Sequence, residues 1–266
     1  MHIKKYMAAM KLAEVNKKVF LFSFVSKLLI MPLSLIIYYL ILYSVFTYLN
    51  IEKLGEYKLV DLFYYYFLVR IINYVNSFNK GQSYRIFTQI NNGEISKFLV
   101  RPIDYIKFQL FYCIGYVKYN WLVSIPLILI VYSTFNLNDI NIFIVIGFIV
   151  SLFLAMVIVF MIYSIIGVIT FWTEAIFGLE ALVTSLSIFL SGMILPLDLF
   201  SKPLVNLSKY LPFRYTIYEV LQIFQINEIS FCLKTIRIQI LWTIILYILL
   251  RLLWKFGINK YQAQGG

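Results

Sequence analysis

The feature that most constrains this chain is a long run without charge, from residue 140 to residue 173. These 34 residues contain no Asp, Glu, Lys or Arg. As one helix rising about 1.5 Å per residue, the run would extend about 50 Å, which exceeds the roughly 30 Å hydrocarbon core of a bilayer. The run therefore predicts a membrane-spanning helix that is tilted or projects beyond the membrane.

The composition predicts further membrane-spanning segments. Hydrophobic residues make up 62% of the 266 residues and charged residues only 13%. A soluble domain usually carries about 25% charged residues. We therefore predict an all-α membrane protein that forms one domain, residues 1–266. Six spans are predicted, over residues 28–51, 58–78, about 108 to 136, 140–173, 175–197 and 235–255.

The distribution of positive charge predicts the orientation of the chain. The two terminal segments and the polar segment 79–108 hold thirteen Lys and Arg, against six in the loops of the opposite face. Cytosolic loops of membrane proteins are enriched in these residues, so both termini and segment 79–108 are predicted to be cytosolic. This placement accounts for the net charge of +11 without a nucleic-acid partner. Residues 1–20 are interpreted as an interfacial helix on anionic lipid, with a solvated basic tail as the alternative.

Residues 196–233 carry three prolines, Pro196, Pro203 and Pro212, too closely spaced for one continuous helix. The segment is predicted to form short helices in a partly re-entrant hairpin near the outer leaflet, between spans five and six.

The polar segment 79–108 contains signals for one short helix. Gly93 follows two asparagines and can adopt the positive φ that turns the chain. Glu94 then lies where the helix would begin, next to the positive end of its dipole. Arg101 precedes Pro102 and is therefore disfavoured in the α region, so the helix is predicted to end there.

This short helix would present one apolar face. Ile95, Phe98 and Leu99 recur at positions i, i+3 and i+4. One interpretation is that the face is exposed and contacts another protein, because exposed apolar patches usually mark an interface. The alternative is that the face folds back onto the cytosolic ends of this chain's own helices.

Several stretches resemble the type-2 ABC exporter permeases, which are membrane-spanning subunits of ABC transporters. Residues 93–102 are similar to the cytosolic segment that joins spans two and three in that family. Residues 189–197, followed by 210–213, resemble the end of span five and its outer hairpin, and residues 261–266 resemble the family's C-terminus. The resemblance covers most of the chain, in order.

The resemblance implies a permease of an ATP-driven exporter in a membrane, most simply the bacterial plasma membrane. It implies a second permease as partner, either a copy of this chain or a similar one, and ABC ATPase subunits that bind the ATP and Mg. The short cytosolic helix would be the coupling helix, which docks into the ATPase. The residues assigned to ATPase coupling are Gly93, Glu94, Ile95, Phe98, Leu99, Arg101 and Pro102.

Arg70 is the charge that no small shift of the spans can move out of the bilayer. Eight uncharged residues separate it from Asp61, and nine separate it from Lys80. An arginine at mid-membrane costs about 2.5–3.5 kcal/mol on insertion scales, so Arg70 is predicted to face protein or water. It could line the transport route or tether two helices. Glu180 is a candidate partner, although it could also lie at the cytosolic interface.

The 22 tyrosines and 24 phenylalanines allow two interpretations. Most belong to interfacial belts and helix packing, because Tyr favours membrane interfaces. A subset could instead stack against a hydrophobic or amphipathic cargo such as a drug, peptide or lipid. The further candidates for the cargo path are Tyr38, Tyr39, Tyr43, Tyr65 and Ser187.

The sequence offers little for catalysis. His2 is its one histidine, and none of its 11 glycines precedes a lysine, so neither a His-rich zinc site nor a P-loop is predicted. We expect no catalytic site, metal or cofactor on this chain. The alternative function is an ATP-independent secondary transporter or another integral membrane protein. A proton-coupled carrier would need intramembrane carboxylates, for which Asp61 and Glu180 are the candidates.

Overall fold

The computed structural model describes residues 2–18, 21–76, 81–135, 141–173 and 175–261, and nearly all of this part is helical. Two strands of two residues each, β1 (Lys53–Leu54) and β2 (Tyr57–Lys58), pair antiparallel between the second and third helices. The prediction of an essentially all-α chain is confirmed, and the small hairpin was not predicted. The helices are α1 (His2–Lys18), α2 (Leu21–Leu49), α3 (Leu59–Asn76), α4 (Gln82–Asn91), α5 (Ser96–Leu99), α6 (Tyr105–Phe135), α7 (Ile142–Ile169), α8 (Ile176–Leu190), α9 (Lys202–Lys209), α10 (Tyr218–Ile226) and α11 (Ile229–Lys260).

Three of the described helices are long and apolar enough to cross a membrane. They are the Pro32–Leu49 part of α2, and α7 and α11 over their whole lengths. Helix α8 is also apolar but has only 15 residues. The chain is therefore membrane-integral, while the count of six spans stays a prediction. The predicted ends of the second and third spans, at residues 78 and 136, lie outside the described residues.

The uncharged run is longer than the helix that it contains. Helix α7 has 28 residues and ends at Ile169, so the prediction of one helix through residue 173 is wrong. The chain turns there, and the Thr170 hydroxyl donates a 2.6 Å hydrogen bond to the Gly167 carbonyl. At about 1.5 Å per residue α7 extends about 42 Å, which still exceeds the bilayer core.

Helix α8 ends seven residues before the predicted end of the fifth span. Gly192 has a φ of +77°, a conformation that ends a helix and that glycine adopts without strain. Its carbonyl accepts a 2.5 Å bond from the Tyr65 hydroxyl, and the Ser191 carbonyl accepts a 3.0 Å bond from the Tyr218 backbone N–H. These long-range bonds fix the helix end, which apolar sequence alone does not mark.

Between α8 and α11 the chain forms only short helices, as predicted. A 3₁₀ turn at Leu197–Leu199 follows Pro196, Pro203 lies in the first turn of α9, and a second 3₁₀ turn, Pro212–Thr216, begins at Pro212. The longest helix of this segment, α10, has nine residues, far fewer than the roughly 20 that a span needs. A re-entrant position near the outer leaflet stays a prediction.

Helix α7 lies at the centre of the packing. Phe148 stacks on Phe224 of α10, with ring centroids 4.0 Å apart. Gln239 of α11 is fully buried, and its amide donates to the carbonyls of Ser151 (3.1 Å) and Tyr215 (2.9 Å). The buried amide thus joins α7, α11 and the second 3₁₀ turn. We call residues 191–228, between α8 and α11, the outer segment after their predicted location.

Helix α1 packs along the first half of α6. A Cβ on Gly115 would lie 2.5 Å from the Met10 carbonyl oxygen, so the close approach of the two helices requires glycine there. Glu14 forms a 3.0 Å ion pair with Lys118. The helix predicted for residues 1–20 is therefore present, and one side of it contacts protein; its position on lipid stays a prediction.

Candidate functional site

The polar segment 79–108 contains a helix that was not predicted, α4, and this helix packs against α7. A Cβ on Gly167 would lie 2.7 Å from the Ile86 Cβ and 3.0 Å from the Ser83 carbonyl oxygen. Overpacking of this kind is destabilising. Helix α4 therefore packs tightly against α7, and residue 167 has room only for glycine.

Helix α5 has the predicted local structure. Gly93 adopts a φ of +73°, and the Ser96 hydroxyl donates to its carbonyl. The Phe98 backbone N–H donates to the Ile95 carbonyl at 2.8 Å, and the helix ends at Leu99, before Arg101. The predicted turn and short helix are both confirmed, although the assigned helix begins at Ser96, after Glu94.

The apolar face of α5 is not the exposed surface that the first interpretation required. Ile95 is fully buried, and the Phe98 ring packs edge-on against Tyr105 (5.1 Å between centroids) and Phe108 (4.9 Å). The expectation of an exposed face was therefore wrong for Ile95, and Phe98 is partly buried against this chain, as the alternative interpretation predicted. Of the three, Leu99 is 47% exposed.

The exposed apolar surface lies just after the helix. We call residues Leu99, Val100, Arg101 and Pro102 the loop tip, and all four are exposed. Val100, which the sequence reasoning did not single out, is 83% exposed. A valine in this position contributes little to the stability of the isolated chain, so the loop tip is the available contact surface.

Asp104 connects the loop tip to three helices. Its carboxylate accepts a 3.0 Å bond from the Lys107 backbone N–H at the start of α6 and forms an ion pair with Arg251 of α11. Its own backbone N–H donates to the Tyr6 hydroxyl of α1 at 3.2 Å. Two residues after the loop tip, the chain is thus tied to α1, α6 and α11.

The structure places Glu180 next to α4, in the polar segment 79–108, rather than next to Arg70. The Ser83 hydroxyl of α4 donates a 2.7 Å hydrogen bond to the Glu180 carboxylate of α8. The Arg70 guanidinium lies 5.4 Å from the centre of the Tyr38 ring, a cation–π contact between α3 and α2. Arg70 is partly buried, and no ion pair between described residues includes it. The structure thus does not pair Arg70 with Glu180.

The predicted tyrosine group divides into three parts. Tyr38 contacts Tyr66, with centroids 3.7 Å apart, beneath Arg70. Tyr39 and Tyr43 are exposed on α2 and stack on each other at 6.2 Å. Tyr65 is buried and holds the end of α8 through its bond to Gly192. Tyr65 therefore has a packing role in this structure and does not join the others in one cluster.

Ser187 lines a small polar cavity between α3, α7, α8 and the second 3₁₀ turn. The cavity has a volume of about 30 Å³, enough for one or two groups the size of water. Across it the Tyr163 and Thr184 hydroxyls are hydrogen-bonded at 2.9 Å. Asn76 is only 7% exposed, and its Oδ1 has no hydrogen-bond partner among the described residues. The other lining residues are Asn73, Val159, Ile188, Met193, Thr216 and Ile217.

An open groove of about 480 Å³ adjoins this cavity on α8, and Thr184 lines both. Tyr84 of α4 and Phe177 form one wall, with ring centroids 6.0 Å apart. Glu180 supplies a carboxylate to the groove, and Ser185 supplies a hydroxyl. The lining of the groove and the cavity is mostly apolar, but the Glu180, Thr184 and Ser187 side chains form a polar row through both, which we call the polar track.

Sequence reasoning identified Glu180 and Ser187 of this track but missed Asn76, Tyr84 and Thr184. One signal was available: Glu180, Thr184 and Ser187 are spaced i, i+4 and i+7, so they share one face of α8. No such spacing connects Asn76 or Tyr84 to α8, because they come from α3 and α4.

A second polar cluster lies in the outer segment. Tyr57 of β2 and Tyr218 of α10 both donate to Asp198, at 2.9 and 3.3 Å. Burial, followed by the hydrogen bond to Asp198, raises the pKa of Tyr57. Arg214 and Glu219 form a buried 2.5 Å ion pair. The bond from Tyr57 to Asp198 attaches the β hairpin to the outer segment.

Nowhere in the described part of the chain do three His, Cys, Asp or Glu side chains form a group suited to a metal ion.

Comparison with known proteins identifies the family of the chain. The family model described as "ABC-2 family transporter protein" matches residues 28–265, nearly the whole chain. No curated protein matches the chain at a significant level.

Proposed function

This chain belongs to the ABC-2 transporter family as a membrane permease of an ABC transporter, and we propose that it is the membrane-spanning subunit of an ATP-driven exporter. Its cargo would be hydrophobic or amphipathic, such as a drug, peptide or lipid, moved out of the cytosol or the inner leaflet of the bacterial plasma membrane. The family implies association with an ABC ATPase, and ATP and Mg would bind to that partner.

The observation that carries the proposal is the exposed loop tip. Val100 and Leu99 form an apolar surface flanked by Lys97 and Arg101, in the segment that resembles the coupling region of type-2 ABC permeases. Exposed apolar residues within a polar loop usually mark a protein contact. The ATPase would dock here, on the loop tip, while Ile95 and Phe98 anchor the loop from within.

The packing beneath the loop tip can transmit a push from the ATPase. Helix α4 packs against α7 at Gly167, and it is joined to α8 by the hydrogen bond from Ser83 to Glu180. Asp104 links the same segment to α11 through Arg251. A displacement of the loop tip would therefore move the cytosolic ends of these helices together, and so open or close a path beside α8.

Six spans complete the proposal. They would be α2, α3, α6, α7, α8 and α11, with α1 at the cytosolic surface and α9 and α10 outside. An even number of spans places both termini on one side, in agreement with the excess of Lys and Arg there. An exposed apolar stripe on α8, on the side away from the groove, is available for lipid or for a second permease. It comprises Leu182, Leu186 and Phe189.

The docking proposal is tested by co-purification of the ATPase with two matched variants. Val100→Asp adds a charge to the loop tip, whereas Tyr210→Asp adds one to an outer residue that is 78% exposed. Burying a side chain such as valine contributes about 1.5–3 kcal/mol, so Val100→Asp should weaken ATPase association at least tenfold. Tyr210→Asp should leave it unchanged. Equal association for both variants would remove the loop tip as the docking surface.

A further inference from the structure

We propose that the polar track along α8 is a cargo site for amphipathic amines, and that the protonated amine group is what it recognises. The inference rests on the proposed function as an exporter permease and names the class of cargo. In it, Glu180 receives the amine in the open groove, and Asn76 receives it in the cavity deeper along α8. The groove position lies at Glu180 and the cavity position at Ser187. These two residues are about 10 Å apart along the helix axis and lie at the two ends of the face that also includes Thr184.

The charge of the groove favours a cation. Glu180 is its one carboxylate among the lining residues, and none of the ion pairs between described residues includes it. The bond from Ser83 occupies only part of the capacity of a carboxylate, which accepts several hydrogen bonds. Arg85, the cation of α4, lies instead over the Tyr112 ring of α6, 4.4 Å from its centre. An incoming ammonium group would therefore meet negative charge.

The aromatic wall of the groove also suits a cation. Phe177 is 67% exposed and Tyr84 is half-exposed, and Phe87 packs against both at 6.2–6.4 Å. Aromatic faces attract cations that come within about 6 Å, and the attraction increases where water is excluded. The same rings offer apolar surface to an alkyl chain. A positive head group with an apolar tail uses both properties.

The cavity offers a buried hydrogen-bond acceptor. The Oδ1 of Asn76 is buried without a partner, which is unfavourable unless a donor occupies the cavity. Asn73 already donates through its side-chain amide to the Val69 carbonyl at 3.1 Å. A protonated amine carries N–H groups that satisfy Asn76, and the volume of about 30 Å³ accommodates an ammonium group. A trimethylammonium group is larger and has no N–H to donate.

Three amphiphiles with the same chain separate these contributions: octylammonium, octyltrimethylammonium and octyl sulfate. Binding is measured by titration calorimetry on the full-length permease in lipid nanodiscs, with the heat from empty nanodiscs subtracted. We expect octylammonium to bind most tightly and octyltrimethylammonium to bind at least tenfold more weakly. Octyl sulfate should give no more heat than it gives with empty nanodiscs.

Three variants locate the site. Glu180→Gln keeps a hydrogen-bond acceptor for Ser83 but removes the negative charge, so it should weaken the binding of octylammonium at least tenfold. Phe177→Leu, at an exposed position, should weaken the binding of both octylammonium and octyltrimethylammonium. Asn76→Leu should remove the preference for octylammonium over octyltrimethylammonium. Glu228→Gln, an exposed carboxylate outside the track, should change nothing. The thermal unfolding midpoint of each variant shows whether it is folded.

The outcomes separate this inference from the proposed function. Equal binding of the three amphiphiles, or octylammonium binding unaffected by Glu180→Gln and Phe177→Leu in folded protein, would overturn the amine site. Co-purification of an ATPase with those same variants would show that the permease function nevertheless stands. Specific amine binding without any ATPase partner would support the site and overturn the exporter proposal.

Discussion

Arg251, in the last third of α11, forms an ion pair with Asp104, the residue that caps the start of α6. The two residues are 147 positions apart in the chain, and their contact joins the last helix to the segment that carries the loop tip. Tyr105 stacks on Trp254 beside it, with centroids 4.5 Å apart and ring planes 7° from parallel. Contacts between distant parts of the sequence thus hold α11 against the segment that carries the loop tip.

Arg251→Gln and Asp104→Asn should each lower the free energy of unfolding. The double variant should lower it by less than the sum of the two single effects. The pair is partly exposed, so the coupling energy should be about 1 kcal/mol. Thermal unfolding of the four proteins in detergent gives this value. Additive effects would mean that the two side chains do not interact in solution.

Gly167→Ala should separate α4 from α7. The added methyl group would lie 2.7 Å from Ile86, and overpacking of this kind costs about 1–3 kcal/mol. Gly178→Ala is the matched control in another helix, because a Cβ there meets no atom within 4 Å. Unfolding midpoints should fall for the first variant and stay or rise for the second. A control that falls as much as Gly167→Ala would contradict the close packing.

Glu219→Gln should be among the most destabilising substitutions in the outer segment. Arg214 would remain buried with its partner charge removed, which typically costs about 3–5 kcal/mol. Glu228→Gln changes an exposed carboxylate in the same region and should cost little. The account of the outer segment fails if chemical denaturation yields the same stability for both variants.

The tyrosines that bond Asp198 predict a loss of stability at alkaline pH. Burial raises the pKa of Tyr57 and of Tyr218 above the ordinary value near 10, so the folded state favours their protonated forms. This contribution is complete below about pH 10 and is lost as the pH rises further. Tyr57→Phe should reduce the slope of stability against pH above 10, and Tyr210→Phe, at an exposed position, should not. Identical slopes for Tyr57→Phe and the unsubstituted protein would refute the assignment.

The sequence was sufficient for the features that depend on local chemistry. Absence of charge identified α7 and the Pro32–Leu49 part of α2 as helices apolar enough to cross a membrane, Gly93 identified the turn before α5, and the prolines after α8 identified the broken outer segment. Each of these follows from one residue type acting on its immediate neighbours.

The failures have a common physical cause. In a membrane protein the lipid-facing and protein-facing sides of a helix are both apolar, so the pattern does not report which side is buried. The burial of Ile95 and the end of α8 depend on bonds and packing with distant residues, as at Gly192 and Tyr65. Asn76 and Tyr84 join Glu180 only through the tertiary fold.

Native mass spectrometry of the complex purified from its own membranes tests the central claim most directly. The account predicts a complex of two permease chains and two ABC ATPase chains, in which each copy of this chain contributes 31.4 kDa. In Val100→Asp, the ATPase chains should be lost from the complex. A chain that is found alone, or only with partners that do not hydrolyse ATP, would contradict the assignment as an ABC exporter permease.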